Sequence, residues 1–307
     1  MNSKAVFIDG SKGKYELFTG SLLKAGGKFG LLCKARDVQN NQMLSARVVL
    51  LSNIDAIAWE RFKREISFQH LPEGFSETVD FAKSNDRLFI FRKYYPGLSL
   101  DKLPEAKWYQ FGSKPWQRIV EYFVHAAFLL EKLHQSGIIH NDIRPSNLIF
   151  SKEEHQPFHW SLPLHPAYID LGLAVSIKEL NQLKQLPYAL SFSPPELILE
   201  HYSLLSPASD IYALALTLFQ VLSGEKPFLS DHPELSLQLQ INMPLPKDDD
   251  IPENLYNVLK KATTKFSFPK PPNRYPKAEV ANYLQAAINA RYQTAGEFGR
   301  ALLTCLK

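Results

Sequence analysis

The sequence predicts an α+β chain built as two lobes or domains, and three observations carry that prediction. Residues 15–51 alternate apolar and polar, with turn signals at Gly26-Gly27 and Asn40-Asn41, the pattern of strands joined by hairpins. Two apolar runs, Ile119–Leu130 and Ile211–Leu222, have the length of buried helices and are too short to span a bilayer. The 307 residues exceed what one small core needs.

Composition narrows the function classes. A hydrophobic content of 45% with 21% charged residues is ordinary for a folded soluble chain. A formal net charge of +4 without a basic run gives no footprint for nucleic acid or for an anionic membrane. Cys33 and Cys305 lie near opposite ends of the chain, which argues against a disulfide framework and suits a reducing, cytoplasmic setting. Met1–Gly13 lacks the apolar core of a secretory leader.

Taken in order, the first hairpin turn is Ala25-Gly-Gly-Lys-Phe-Gly30, whose glycines permit close approach of a backbone to a phosphate. A strand over Met43–Leu50 follows, and then a helix over Ala56–Leu71 carrying Arg61-Phe-Lys-Arg-Glu-Ile66. A second, amphipathic helix runs from beyond Trp116 through Leu133. Ile138-Ile139 and Leu148-Ile149-Phe150 read as short buried strands, so His140, Asn141, Asp142, Arg144 and Asn147 sit on a loop held at both ends. Asp142, a cation two residues on (Arg144) and a carboxamide five residues on (Asn147) can face a common point. Those side-chain types accept a proton from a hydroxyl, neutralise a phosphate and coordinate Mg²⁺ through oxygen. Beyond them, Ser151–Pro166 holds His155, His159 and His165; without cysteines or a helical frame it reads as a solvated hairpin extension rather than a zinc site. Residues 241–253 and 266–276, rich in Pro, Lys and Asp, read as exposed loops around a short helix.

With those residues in view, His140-Asn-Asp-Ile-Arg-Pro-Ser-Asn147 resembles the catalytic loop of eukaryotic-type protein kinases, H-R-D-x-K-P-x-N. The resemblance covers roughly residues 15–305, and the closing segment Ala290–Leu303 resembles the last helix of bacterial Ser/Thr kinases. It implies a two-lobed protein-kinase-like fold: a small antiparallel β lobe with the family's C helix over residues 1–93, and a large mainly helical lobe over 94–307. Gly27 and Gly30 then fall on the phosphate-binding glycine-rich loop, Arg47 on the strand position of the phosphate-binding lysine, and Glu65 on the helix acid that pairs with it. Leu88–Leu100 resembles the last small-lobe strand and the hinge, where backbone groups from Lys93 to Tyr95 would meet the adenine edge. Arg92 occupies a position usually apolar, so it requires an acidic partner or a register shifted by one residue. Tyr168-Ile-Asp-Leu-Gly172 resembles the D-F-G segment, giving Asp170 as a Mg²⁺ ligand with Asn147. Ser193-Pro-Pro-Glu196 fits the A-P-E motif and Asp210 the residue that anchors the catalytic loop, with Arg291 the expected partner of Glu196 and Arg274 the alternative.

Five positions depart from the pattern: Ala25, Arg47, Asn141, Arg144 and Ala189. Arg144 keeps the charge beside the transferred phosphate. Asn141 implies that Asp142 is not tied to a phosphorylated activation segment, which makes Ser176, Tyr188, Ser191 and Ser193 dispensable as phosphorylation sites. Arg47 weighs most, because a planar guanidinium does not simply replace a compact ammonium. A loss of about 3–4 kcal/mol in transition-state stabilisation there would slow transfer by two to three orders of magnitude. The resemblance implies transfer of the ATP γ-phosphate to a Ser/Thr hydroxyl of a protein, with ATP and Mg²⁺ as cofactors. Two alternatives stay open: a pseudokinase that binds and regulates a partner protein, and a small-molecule phosphotransferase related to aminoglycoside or choline kinases. Ser193–Glu196 and the Asp210 helix favour the protein-kinase branch.

Overall fold

A computed structural model describes residues 6–24, 30–103, 112–153 and 156–306. The chain divides into two compact units, Met1–Tyr95 and Pro96–Lys307.

The first unit is a six-stranded antiparallel sheet in the order β1-β2-β3-β4-β6-β5. Its strands are β1 (Val6–Asp9), β2 (Lys14–Lys24), β3 (Leu31–Asp37), β4 (Met43–Leu50), β5 (Thr78–Ser84) and β6 (Arg87–Lys93). Alternation sorts the side chains. Ile8, Tyr15, Leu17, Cys33, Ala35, Leu44, Ala46, Ala82, Phe89 and Phe91 form one core, with Tyr15 stacked on Phe91 at 4.0 Å between ring centroids. Helix α1 (Ala56–Ser67) covers the other face, with Phe62 against Leu88 and Ile90. The Asp55 carboxylate caps α1 by accepting from the Ala58 amide at 2.8 Å.

Helix α1 stops four residues before the expected Leu71. Phe68 turns extended (φ −78°, ψ 106°) and is buried off the helix axis, and Pro72 disfavours helical backbone at the residue before it. Strand β1 lies ahead of the alternation that suggested strands. Its turn is secured by Asp80, which accepts from the Ser11 hydroxyl, the Lys12 amide (2.7 Å) and the Tyr15 hydroxyl (3.0 Å).

The second unit is built on α2 (Lys114–Gln135), α4 (Pro207–Ser223) and α8 (Ala295–Thr304). Helix α4 is apolar nearly all round and is accordingly buried from Ala208 to Phe219. It ends at Gly224, whose φ is 82°. Short helices α3 (Pro195–Ile198), α5 (Pro233–Asn242), α6 (Glu253–Ala262) and α7 (Lys277–Ala290) complete it, with two small sheets. In these, β9 (Leu148–Ser151) lies between β7 (Gly97–Ser99) and β10 (Pro166–Tyr168), and β8 (Ile138–Ile139) pairs with β11 (Val175–Ser176). Strands β8 and β9 hold the polar loop between them at both ends.

Two loop expectations gain buried anchors. In the described part of 151–166, which joins the paired strands β9 and β10, His159 and His165 are exposed as expected of a solvated hairpin extension, while Phe158 and Trp160 set ring edges against Phe150 and Leu162 is buried. Arg118 of α2 donates to the Trp160 carbonyl at 2.9 Å and to the Leu162 carbonyl. His155 lies outside the described residues, and among those described no group of His, Cys, Asp and Glu is placed to hold a metal ion. Within 241–253 and 266–276 most residues are exposed as expected, but α5 extends to Asn242, and Leu245, Ile251 and Phe268 are buried, because single apolar residues pin otherwise polar segments. Among the described residues no helix is long and apolar enough to cross a membrane.

Candidate active site

The loop after β8 is fixed from below by one carboxylate. Asp210, in the first turn of α4 and fully buried, accepts from the His140 amide at 2.7 Å, the Asn141 amide at 2.8 Å and His134 Nε2 at 2.9 Å. Consecutive amides converge on one anion only where the backbone turns sharply, and Asn141 supplies that turn with φ 60°. Asparagine tolerates the left-handed region better than most residues. Its side chain donates to the Leu173 carbonyl at 3.3 Å. The departure at this position thus has a structural use.

Above that anchor, Asn147 Nδ2 donates to both the Asp142 carbonyl and its carboxylate, each at 2.9 Å. Arg144 Nε stands 3.4 Å from the other carboxylate oxygen, forming an ion pair. The Asp142 amide donates to His140 Nδ1 at 3.3 Å, so the ring carries its proton on Nε2. Burial pushes the His140 pKa below its ordinary 6.5, with Asp210 and Asp170 pulling the other way, and the imidazole is neutral near pH 7. With Asn147 Nδ2 directed at Asp142, its Oδ1 faces the other way, where it accepts a long bond (3.4 Å) from the Ser146 hydroxyl.

Asp170 follows directly. The Ile169 amide donates to the Asn147 carbonyl at 2.9 Å, which ties the strand end before Asp170 to the catalytic loop. Asp170 adopts φ 62°, ψ 75° and accepts from the Gly172 amide at 3.3 Å. Asp142, Arg144, Asn147 and Asp170 are therefore brought together within the second unit. A carboxamide oxygen and a carboxylate are hard oxygen donors of the kind Mg²⁺ takes, so the residues present fit that ion.

The end of the segment beyond Asp170 is pinned by Glu196. Arg291 meets it with a two-pronged fork, Nη1–Oε1 at 2.7 Å and Nη2–Oε2 at 3.1 Å, both side chains 0% exposed. The Ser209 hydroxyl adds a bond at 2.8 Å, and Arg291 also reaches the Thr264 carbonyl at 2.9 Å. Arg274, the alternative partner, is exposed.

In the first unit, Gly30 has φ 81°, and a Cβ there would lie 2.2 Å from the Val48 carbonyl oxygen, so only glycine fits. Ala25 and Gly27 lie outside the described residues. Glu65 is buried, and both its oxygens are engaged. Arg92 donates from Nε to Oε1 at 2.5 Å and from Nη2 to Oε2 at 2.8 Å, and the Thr78 hydroxyl donates at 2.7 Å. Arg92 thereby has the acidic partner its burial requires, in a register that sets it opposite Ser45 and Thr78. Arg47, half-buried on β4, lies opposite Ile90 and Leu32 and shares the α1-facing side of the sheet with Arg92. Lys93 uses its amide on the Glu77 carbonyl (3.0 Å), while its carbonyl accepts from the Ser76 hydroxyl (2.7 Å). Tyr95 folds its hydroxyl back to the Gly74 amide at 2.9 Å, and burial pushes its pKa up to about 12.

Sequence reasoning did not find Thr78 or His134, nor the pairing of Arg92 with Glu65. The signal for that pairing was present. Leu88, Ile90 and Arg92 alternate onto one face of β6, and Glu65 lies one turn beyond Phe62 on α1.

The family model for the protein kinase domain matches residues 25–279, so the chain belongs to the protein kinase family. It is 26% identical over 280 residues to the serine/threonine-protein kinase PknB of Mycobacterium leprae, covering 86% of this chain and 41% of that protein. It is 24% identical over 270 residues to a probable serine/threonine-protein kinase of Clostridium perfringens, covering 84% and 36%. Against PrkC of Bacillus subtilis it is 27% identical over 229 residues, covering 71% and 32%. The chain thus spans well under half the length of these relatives. Members of the family generally use ATP and Mg²⁺.

Proposed function

We propose that the chain transfers the γ-phosphate of ATP to a serine or threonine hydroxyl of a protein. The observation that carries the reading is the hydrogen bonding of Asp142 to Asn147, with its ion pair to Arg144, on a loop whose amides are held by Asp210. Asp142 orients the acceptor hydroxyl and takes its proton, and Arg144 offsets charge at the phosphoryl group. Asn147 Oδ1 and Asp170 would hold Mg²⁺, and Gly30, Arg47 and the backbone at Tyr94–Tyr95 would hold the nucleotide, the expected Lys93 amide being engaged by the Glu77 carbonyl instead. When bound, Mg²⁺-ATP supplies the transferable phosphoryl group with its charge partly neutralised. Buried, unpaired Cys33 and Cys305 suit the cytoplasm, where we place this domain.

The test is transfer of labelled phosphate from ATP to casein and to a basic protein acceptor, with and without Mg²⁺. Asp142→Asn should lower kcat by about 10²–10⁴-fold while ATP still binds. Asp170→Asn should abolish Mg²⁺-dependent nucleotide binding by calorimetry. Unchanged turnover in the first variant and unchanged binding in the second would refute the assignment.

A second reading, a kinase-like binding module without transfer, is favoured by the guanidinium at position 47 and by the engagement of Glu65 with Arg92 and Thr78. Absence of ATP binding with or without Mg²⁺ would put that reading first.

A further inference from the structure

Two rows of side chains meet in register beneath α1. On β6, Leu88, Ile90 and Arg92 share one face, and on α1, Phe62 and Glu65 are one turn apart. Phe62 packs on Leu88 and Ile90, and Glu65 then falls on Arg92. The side chains of Arg92 and Glu65 are 7% and 4% exposed, so the pair is withdrawn from solvent and is bidentate. Thr78, directly opposite Arg92 in the β5–β6 register, supplies the third donor to the same carboxylate. Two neighbouring strands therefore grip the helix acid at one point.

From this arrangement we infer that Arg92 is the positioning residue for Glu65 and α1, docking the helix with donors that belong to the sheet itself. A shift of α1 that parts this pair without admitting water strands both charges, so displacement of the docked helix along the sheet is opposed whether or not nucleotide is present. This source of docking stands beside whatever Arg47 contributes from β4. The second unit points the same way. Asn141 spends its side chain on the Leu173 carbonyl, so the loop has no arginine at that position through which a phosphorylated segment would act. Resting on the kinase reading, the inference is that movement of α1 is not the switch of this enzyme and that Glu65 is held ready before ATP arrives.

The experiment is amide hydrogen exchange on the nucleotide-free chain, followed by phosphotransfer kinetics. In the wild type, amides of residues 60–67 should be as protected as those of β6. Arg92→Met should speed their exchange by about 100-fold or more while β3 and β4 keep their protection. Arg92→Lys, which retains the charge without the fork, should recover part of that loss. Thr78→Val, a milder change for the case in which Arg92→Met fails to fold, should speed exchange by about tenfold. The double variant Arg92→Met/Glu65→Met removes both charges and should regain exchange protection but not turnover, which a purely structural role would not predict. Unchanged protection in Arg92→Met, or equal loosening of α1 and the whole sheet, would overturn the inference. A wild type without phosphotransfer would refute the kinase reading alone, because the exchange data judge the docking independently.

Discussion

Replacing Arg291 by methionine tests the tether on which the end of the activation segment depends. The substitution removes both prongs of the fork at 2.7 and 3.1 Å and the bond to the Thr264 carbonyl, and leaves Glu196 with the Ser209 hydroxyl. It also removes a guanidinium stacked 4.9 Å from the Tyr212 ring centroid. Because Glu196 is 0% exposed, no solvent reaches the stranded carboxylate. Breaking a buried pair from one side costs about 3–5 kcal/mol. At about 2–4 °C per kcal/mol for a chain of this general size, the melting temperature should fall by roughly 6–20 °C. Urea unfolding followed by calorimetry measures both quantities. The control is Glu196→Leu/Arg291→Met, in which no charge is stranded and most of the loss should return. Arg274→Met, at an exposed site, should change stability by no more than about 0.5 kcal/mol. A single variant within about 1 kcal/mol of wild type, or a double variant no better than the single, would refute the reasoning.

Other outcomes follow from local geometry and charge. Gly30→Ala forces a Cβ to within 2.2 Å of the Val48 carbonyl at φ 81°, so it should destabilise the first unit by about 2–4 kcal/mol in denaturant titration. Lys265 is held by the Gln240 carbonyl at 2.7 Å beside the Phe228 ring, and burial, with a smaller push from Arg291, lowers its pKa from 10.5 to about 6. The unfolded chain then holds a proton that the folded chain has lost, so stability should rise with pH between about 6 and 10.5. In Lys265→Met that slope should vanish, which paired unfolding curves across the range would detect.

What the sequence makes legible locally is what a few adjacent residues decide. Ile138-Ile139 and Leu148–Phe150 announced strands on either side of a polar loop, and both are strands. The helix carrying Arg61–Ile66 is expected from the sequence and present as α1, but its end did not show, because burial of Phe68 off the helix is a tertiary contact. In the 151–166 segment the exposure of His159 and His165 was legible, but the packing of Phe158 and Trp160 on Phe150 was not, because it follows only once β9 and β10 have paired.

By itself, then, the sequence determined the class of fold and the candidate residues of the loop after β8, since alternation, apolar runs and the order Asp142, Arg144, Asn147 and Asp170 are written along the chain. Only the tertiary structure decided where Glu65 pairs: it finds Arg92 27 residues away, and the choice rests on strand register and helix packing, whereas the pairing of Glu196 with Arg291, 95 residues away, is the one the resemblance implied. A buried ion is tolerated only where a partner arrives with matching geometry, and that geometry exists only in the folded chain.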